Sequence, residues 1–514
     1  MDLVQKKEII NEILKNGFFS EYLPPEFTTE KLNNDIFTIG TKHRMIDPVT
    51  FSMDKLNDLN NRRVISIPEV FYFAQAVNAL KQGDLLQKIL QNNEKDEHSL
   101  SKIVDPKKRL SRFSGIYGGD GYSSKKEEEE VGGNDFMDNL KKKIELSRGC
   151  KCILHLDVAN FYNSFYTHFI TAILSGEEWA NDQYQIAQKA RSNPIEEKAS
   201  PDYCALATLD EKICDMNLKR THGLLMGPRL SFIIAEALMN QIDKELETEL
   251  NKRKIDFVRY VDDYDVFIKR QEDIGFAKGV FNFVLNRYGF IINDSKTKIE
   301  TFPFYTYTNF KDVYQEGAEL TDIYAKYAQI EKSQDQNGAL LYFCKNILPK
   351  YNNLPIALSL SFSLLKNVSK ASVPSCNNIS VFDPKIKEEN HAKELLIELL
   401  QEFVEIQYDL EAIWVLRTIY KLYPDSIIAK ETIEKMNEVA LILYYYESKD
   451  ESKGETLKEM ARKKGWFLNY ELFYSDVISQ EEFKNNLGLS DITCYLKLKE
   501  LDVNFYKKQN ETSE

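Results

Sequence analysis

The chain has 514 residues, 43% hydrophobic and 29% charged. These proportions exclude wholesale disorder and predict two or three domains, because one core rarely grows past about 250–300 residues. Lys and Arg number 67 against 80 Asp and Glu, a net charge of −13, which excludes a uniformly basic coat and leaves nucleic acid only a local basic channel.

The N-terminal residues Met1 to Glu8 are charged, no run of about 18 apolar residues occurs, and the seven cysteines form no C-x-x-C pair. The sequence therefore predicts a cytoplasmic chain with free thiols and no membrane span. Leu23-Pro24-Pro25-Glu26-Phe27-Thr28-Thr29 cannot be helix interior, since proline removes a donor and fixes φ. Asn61-Arg62-Arg63-Val64-Ile65-Ser66-Ile67-Pro68 reads as a short strand with a basic entry, and Val70 to Leu80 as an apolar helix. Residues 114–134 hold six glycines and the charge run Lys125 to Glu130, the composition of a mobile loop.

From Cys150 to Phe304 short β-rich runs flank one strong helix. Ile153-Leu154-His155-Leu156-Asp157-Val158 reads as a buried strand ending on a carboxylate, and Ser231 to Leu246 is apolar at helical spacing. Residues 256–268 alternate as a hairpin does, with Asp262 and Asp263 at its turn. Beyond residue 310 the pattern is helical, with candidates at 355–368, 391–407, 409–421, 428–446, 455–464 and 480–486. Helices of similar length in series suggest a repeat stack, with an irregular bundle as the alternative. The boundaries predicted are 1–150 for an N-terminal region, 151–310 for the part that carries chemistry, and 311–514 for the helical part. Residues 1–310 carry 42 basic against 47 acidic side chains, and residues 311–514 carry 25 against 33.

Half-burying three carboxylates costs several kcal/mol unless cations compensate them. Asp157 and Asp262 on neighbouring strands would hold two Mg²⁺ about 3.5–4 Å apart, the arrangement that serves phosphoryl transfer. Between them, Gly227-Pro228-Arg229-Leu230-Ser231 opens a helix with a turn that lets backbone approach a base pair closely. After the second acid segment, Asn293-Asp294-Ser295-Lys296-Thr297 could set a lysine beside a triphosphate. Singly, each piece also reads as ordinary turn chemistry.

In this order, over some 140 residues, the four pieces resemble the catalytic core of reverse transcriptases. The resemblance implies an α+β fold of fingers and palm, with an all-α C-terminal domain of HEAT-like helical repeats. It implies Asp157, Val158, Asp262 and Asp263 as the Mg²⁺ set (Mn²⁺ as the substitute), with the three acids catalytic. Tyr162 would be the gate that excludes a ribose 2′-hydroxyl. Gly227, Pro228, Ser231, Lys296, Arg62 and Arg63 would contact the dNTP.

The Leu23–Thr29 segment, the run Asn160-Phe161-Tyr162-Asn163-Ser164-Phe165-Tyr166-Thr167-His168 and the helical last third resemble a narrower group, the abortive-infection polymerases of the AbiK type. That group implies anti-phage defence, a trimeric or hexameric homo-oligomer, and DNA synthesis either untemplated or templated by a dedicated non-coding RNA. In some members single-stranded DNA grows from a tyrosine hydroxyl of the protein. Which tyrosine would serve here is open among Tyr117, Tyr122, Tyr444 to Tyr446 and Tyr506. Two alternatives stand beside this reading: a nucleic-acid-binding scaffold whose acidic helical part engages a phage protein, and a conventional RNA-directed DNA polymerase.

Overall fold

A computed structural model describes residues 3–40, 43–54, 62–104, 136–192, 198–305, 310–333, 338–352, 354–367, 375–376, 379 and 391–508. The glycine-rich stretch 114–134, with Tyr117 and Tyr122, lies outside them. The helices longer than one turn are α1 (Leu3–Asn16), α2 (Val70–Ala79), α3 (Leu85–Lys95), α4 (Phe136–Leu146), α5 (Gly176–Ser192), α6 (Pro201–Met216), α7 (Arg229–Leu250) and α8 (Asp273–Arg287). Strands β1 (Val49–Asp54) and β2 (Arg62–Ile67) pair antiparallel as a separate hairpin. Four more strands, β3 (Cys152–Asp157), β4 (Asp256–Tyr260), β5 (Asp263–Ile268) and β6 (Lys298–Thr301), form an antiparallel sheet in the order β4-β5-β3-β6.

The period-2 alternation of β3, β4 and β5 gives this sheet two unlike faces. Leu154, Leu156, Phe257, Tyr264 and Val266 look toward the helices, where the Tyr264 and Phe281 rings meet edge-on at 4.9 Å and Tyr264 Oη donates to Asp243 of α7 at 3.0 Å. The register lays the other face out in rows. Tyr260, Asp263 and Asp157 make the first row; Val258, Asp265, His155 and Lys298 the second; Asp256, Phe267, Ile153 and Glu300 the third. Ile153, Val258 and Phe267 join Leu100 in a small buried cluster, so one end of this face is apolar and the other acidic.

The remainder is helical: α9 (Leu320–Lys332), α10 (Pro355–Asn367), α11 (Ala392–Glu405), α12 (Asp409–Leu422), α13 (Lys430–Lys435), α14 (Glu438–Glu447), α15 (Lys453–Ala461), α16 (Trp466–Tyr474), α17 (Gln480–Leu487) and α18 (Thr493–Glu500). The single helix expected over 428–446 is two. Met436 is extended at ψ 149°, and the Asn437 side chain accepts the Ala440 N–H at 2.8 Å, capping a new helix. The fold is α+β with a helical C-terminal part. One continuous core of buried side chains runs from Ile9 to Tyr506. Early and late segments of the chain meet where Phe27 bridges Tyr506, Thr28 N–H donates to the Phe505 carbonyl at 3.0 Å, and buried Glu26 pairs with Arg417 at 2.9 Å. No helix among the described residues is long and apolar enough to cross a membrane.

Candidate active site

The hairpin β4-β5 turns through two residues, Val261 and Asp262, because Tyr260 pairs directly with Asp263. Val261 sits at φ +58°, a left-handed conformation that costs a β-branched residue roughly 1–3 kcal/mol. Across the sheet, Asp157 is the register partner of Asp263, and Val158 N–H donates to the Asp262 carbonyl at 3.1 Å. Three carboxylates thus meet at one end of the open face.

Their electrostatics are unbalanced. Desolvation, reinforced by Asp262 and Asp157, pushes the Asp263 carboxyl up to about 7. Desolvation and the charge of Asp157 raise Asp262 as well. Asp157 has partners: Lys296 Nζ lies 2.7 Å from Oδ2 and Asn293 Nδ2 donates to Oδ1 at 3.1 Å. The Asn293 backbone N–H also donates to the Asp157 carbonyl at 2.8 Å, fixing the loop after α8 to the end of β3. Among the described residues no three acid, histidine or cysteine side chains converge as a finished coordination sphere. The chemistry of the set suits hard divalent cations, since Lys296 and Arg63 only partly offset the charge of its oxygens.

One row down the same face the balance is complete. Burial alone would raise Asp265, but His155 Nδ1 at 2.7 Å and Lys143 Nζ at 2.8 Å outweigh it and hold the carboxyl at about 2. His155 Nε2 meets Glu300 at 3.0 Å, and Tyr305 Oη donates to Asp265 at 3.2 Å.

The pattern that defines the family described as reverse transcriptase (RNA-dependent DNA polymerase) matches residues 54–331, more than half of the 514. The chain belongs to the reverse transcriptase family. Family membership makes it an RNA-directed DNA polymerase by class, a nucleotidyltransferase. Comparison with curated proteins by sequence gives no match. Among solved structures, apo telomerase from Candida tropicalis is similar at TM-score 0.34 and 11% identity, covering 81% of this chain and 69% of that one. Telomerase from Candida albicans, in complex with a fragment of telomeric RNA, is similar at TM-score 0.27 and 16% identity, covering 87% and 65%. The chain spans about two thirds of the length of those telomerase chains.

Within this reverse transcriptase the other expected residues fall in two groups. Tyr162 stands beside the acids, its ring edge-on to Phe161 at 5.4 Å, its hydroxyl raised by desolvation and by the charges of Glu236 and Asp262. Arg63 is exposed and its charge reaches Asp262. Arg62, one residue earlier on β2, points the other way: it pairs with Glu411 of α12 and lies 3.8 Å over the Tyr408 ring. Strand alternation separates the two arginines, so only Arg63 faces the acids. Gly227 has φ +128°, and a Cβ there would fall 2.8 Å from the Ser66 carbonyl oxygen. The close approach that this glycine makes within the chain is to β2, whose Ser66 N–H donates to Met226 O at 2.7 Å. Pro228 occupies the N-cap position of α7 with no side-chain cap, and Ser231 is 1% exposed inside its first turn.

The C-terminal tyrosines are packed. Tyr444 Oη donates to Asp450, Tyr446 Oη to Glu471, and Tyr506 stacks on Tyr446 at 4.7 Å while donating to Glu447. Glu471 is fully buried and pushed up to about 7 by desolvation. It accepts from Tyr446 and from the Phe505 N–H, so its elevated value reflects packing.

Sequence reasoning missed Arg259. Residue 259 reads as one more position of an alternating strand. Yet Arg259 is fully buried, its Nε 2.7 Å from Asp243 and its Nη1 2.8 Å from Glu236. A signal existed: α7 carries Glu236 and Asp243 seven residues apart on its buried face, with Asn240 between them, and buried acids at helical spacing call for a cation.

Proposed function

We propose that the chain adds dNTPs to a growing DNA end by metal-assisted phosphoryl transfer, with Asp157, Asp262 and Asp263 as the acids that hold Mg²⁺ and the Val158 carbonyl oxygen beside them. The observation that carries this reading is the raised pair Asp262 and Asp263, only partly offset by Lys296 and Arg63, facing Asp157 on the open end of the sheet. Bound there, two ions would neutralise charge on the attacking and leaving oxygens, so that little is asked of a protein base. Arg63 approaches from the fingers hairpin as the cation for the triphosphate. Lys296, now on Asp157, is the second cation within reach of the same place. Tyr162 closes the sugar side of the pocket. Arg62 is left out of the dNTP contacts.

We infer that the setting is anti-phage defence by abortive infection. The support is the likeness of Leu23–Thr29, Asn160–His168 and the helical last third to the AbiK group, including its homo-oligomers. Protein priming would fall to tyrosines other than the packed Tyr444, Tyr446 and Tyr506, so that Tyr445, which is half-buried, stays a candidate beside Tyr117 and Tyr122. Purified protein should incorporate labelled dNTP with Mg²⁺. Label released only by protease would report a protein primer, and loss after RNase a resident RNA. Replacing Asp262 and Asp263 with Ala should end both synthesis and protection. Protection that survives this change would favour a scaffold whose helical part engages a phage protein.

A further inference from the structure

The turn that carries Asp262 is strained, and the fold must hold it. Left alone, Val261 would return to negative φ, which rotates the Val261–Asp262 peptide and swings the Asp262 carboxylate away from its neighbours. Five hydrogen bonds close a ring around that residue. Val261 N–H donates to Ser101 Oγ at 2.6 Å, and the Ser101 hydroxyl donates in turn to Glu236. Arg259 Nη1 and Nη2 lie 2.8 Å and 3.2 Å from the two Glu236 oxygens, and Nη1 also donates to the Val261 carbonyl at 2.9 Å. Both backbone polar groups of Val261 are thereby tied to one buried carboxylate.

The ring is anchored outside the hairpin. Arg259 Nε donates to Asp243 at 2.7 Å, and Glu236 and Asp243 both project from α7. The backbone of Arg259 is fixed too, donating to His98 O at 2.9 Å and accepting from Leu100 N–H at 2.7 Å. A guanidinium matches this task because its fork reaches two carboxylates and a carbonyl at once, which an ammonium cannot do.

We propose that Arg259, with Ser101 and Glu236 as its partners, is a positioning residue that holds Val261 in its left-handed conformation and so aims Asp262 and Asp263. The proposal rests on the reading of those two acids as catalytic.

Arg259→Lys keeps the charge and loses the fork, while Ser101→Ala opens the ring on its other side. In metal-free protein both should speed amide exchange in the peptide spanning 258–266 by about tenfold or more, with the peptide over α8 unchanged. Each should lower kcat by about thirtyfold with the dNTP KM held within about threefold, since a displaced acid damages the chemical step more than binding. Val261→Gly removes the steric objection to either conformation, so Arg259→Lys should cost only about threefold in that background. Unchanged exchange at 258–266, or an Arg259→Lys kcat loss that is the same with and without Val261→Gly, would overturn the proposal. If Arg259→Lys fails to fold, Ser101→Ala alone decides by the same two readouts. The exchange result stands whether or not the wild type polymerises, which separates failure of the clamp from failure of the catalytic reading.

Discussion

Two rows of acids lie on one face of one sheet and have opposite fates. Asp263 is pushed up to about 7, whereas Asp265, two residues along the same strand, is held at about 2. Asp265 is the more buried of the two, yet it is the one held low, so the difference lies in the company. Asp265 has His155, Lys143 and Tyr305 around it, and its charge is spent within the fold. Asp263 has two further carboxylates. We read a fold that satisfies the second row and leaves the first unsatisfied as keeping that first row for a cation. Replacing Asp262 or Asp263 with Asn should therefore cost activity on the order of 10³-fold while leaving the fold intact. Labelled dNTP incorporation and urea unfolding of the same preparations check both halves. A fold that collapses with the activity would show the first row to be structural after all.

The second row predicts the reverse. Asp265→Ala leaves His155 and Lys143 without their shared anion, and should destabilise by about 3 kcal/mol. Its pH dependence follows from the lowered value. A carboxyl depressed in the folded state adds stability above its unfolded pKa, and loses it as pH falls toward about 2. The deficit of the variant should thus be greatest near pH 5, shrinking below about 4 as the carboxyl protonates and shrinking again above about pH 6.5 as His155, whose proton Asp265 helps to hold, gives it up. Urea midpoints across that range measure it. A deficit that vanished by pH 6 would place the important charge on another group.

The contrast extends to β2, where alternation puts neighbouring arginines on opposite sides. Arg63→Ala should raise the dNTP KM by about tenfold with little change in stability, roughly the worth of one phosphate contact. Arg62→Ala should do the opposite, costing about 1–2 kcal/mol through Glu411 and the Tyr408 ring with KM near wild type. Steady-state kinetics and denaturation on the two variants distinguish them. A KM effect from Arg62 would bring that side chain back into the nucleotide site.

How much of this was legible in the sequence depended on whether a signal was local. The hairpin over 256–268 and the strand ending at Asp157 announce themselves by alternation, and α7 by its long apolar spacing. α16 was missed because eight of its nine residues are buried, so no polar stripe marks a period. The split at Met436 and Asn437 hangs on one capping side chain inside a run that otherwise reads as helix. The Arg62–Arg63 pair reads as one basic unit, although period 2 already separates its members. Arg259 was the deepest miss: its partners Glu236 and Asp243, and the Ser101 hydroxyl that shares Glu236 with it, lie elsewhere in the chain, and a strand pattern says nothing about which buried position holds a charge.

The smallest effect is also the most diagnostic. A carboxyl raised in the folded state binds its proton more tightly there than in the unfolded chain, so between about pH 4 and 7 stability falls as pH rises. Asp263→Asn removes that slope. In chelator-treated protein the variant should equal wild type near pH 4 and exceed it by about 1 kcal/mol at pH 8, a figure reduced well below the full shift because Asp263 is partly open to solvent. Saturating Mg²⁺ should erase or invert the difference, since the added cation rewards only the chain that still has its third carboxylate. A variant that is no more stable than wild type at pH 8 without metal would mean that Asp263 finds compensation within the fold, and the distinction between the two rows would fail there first.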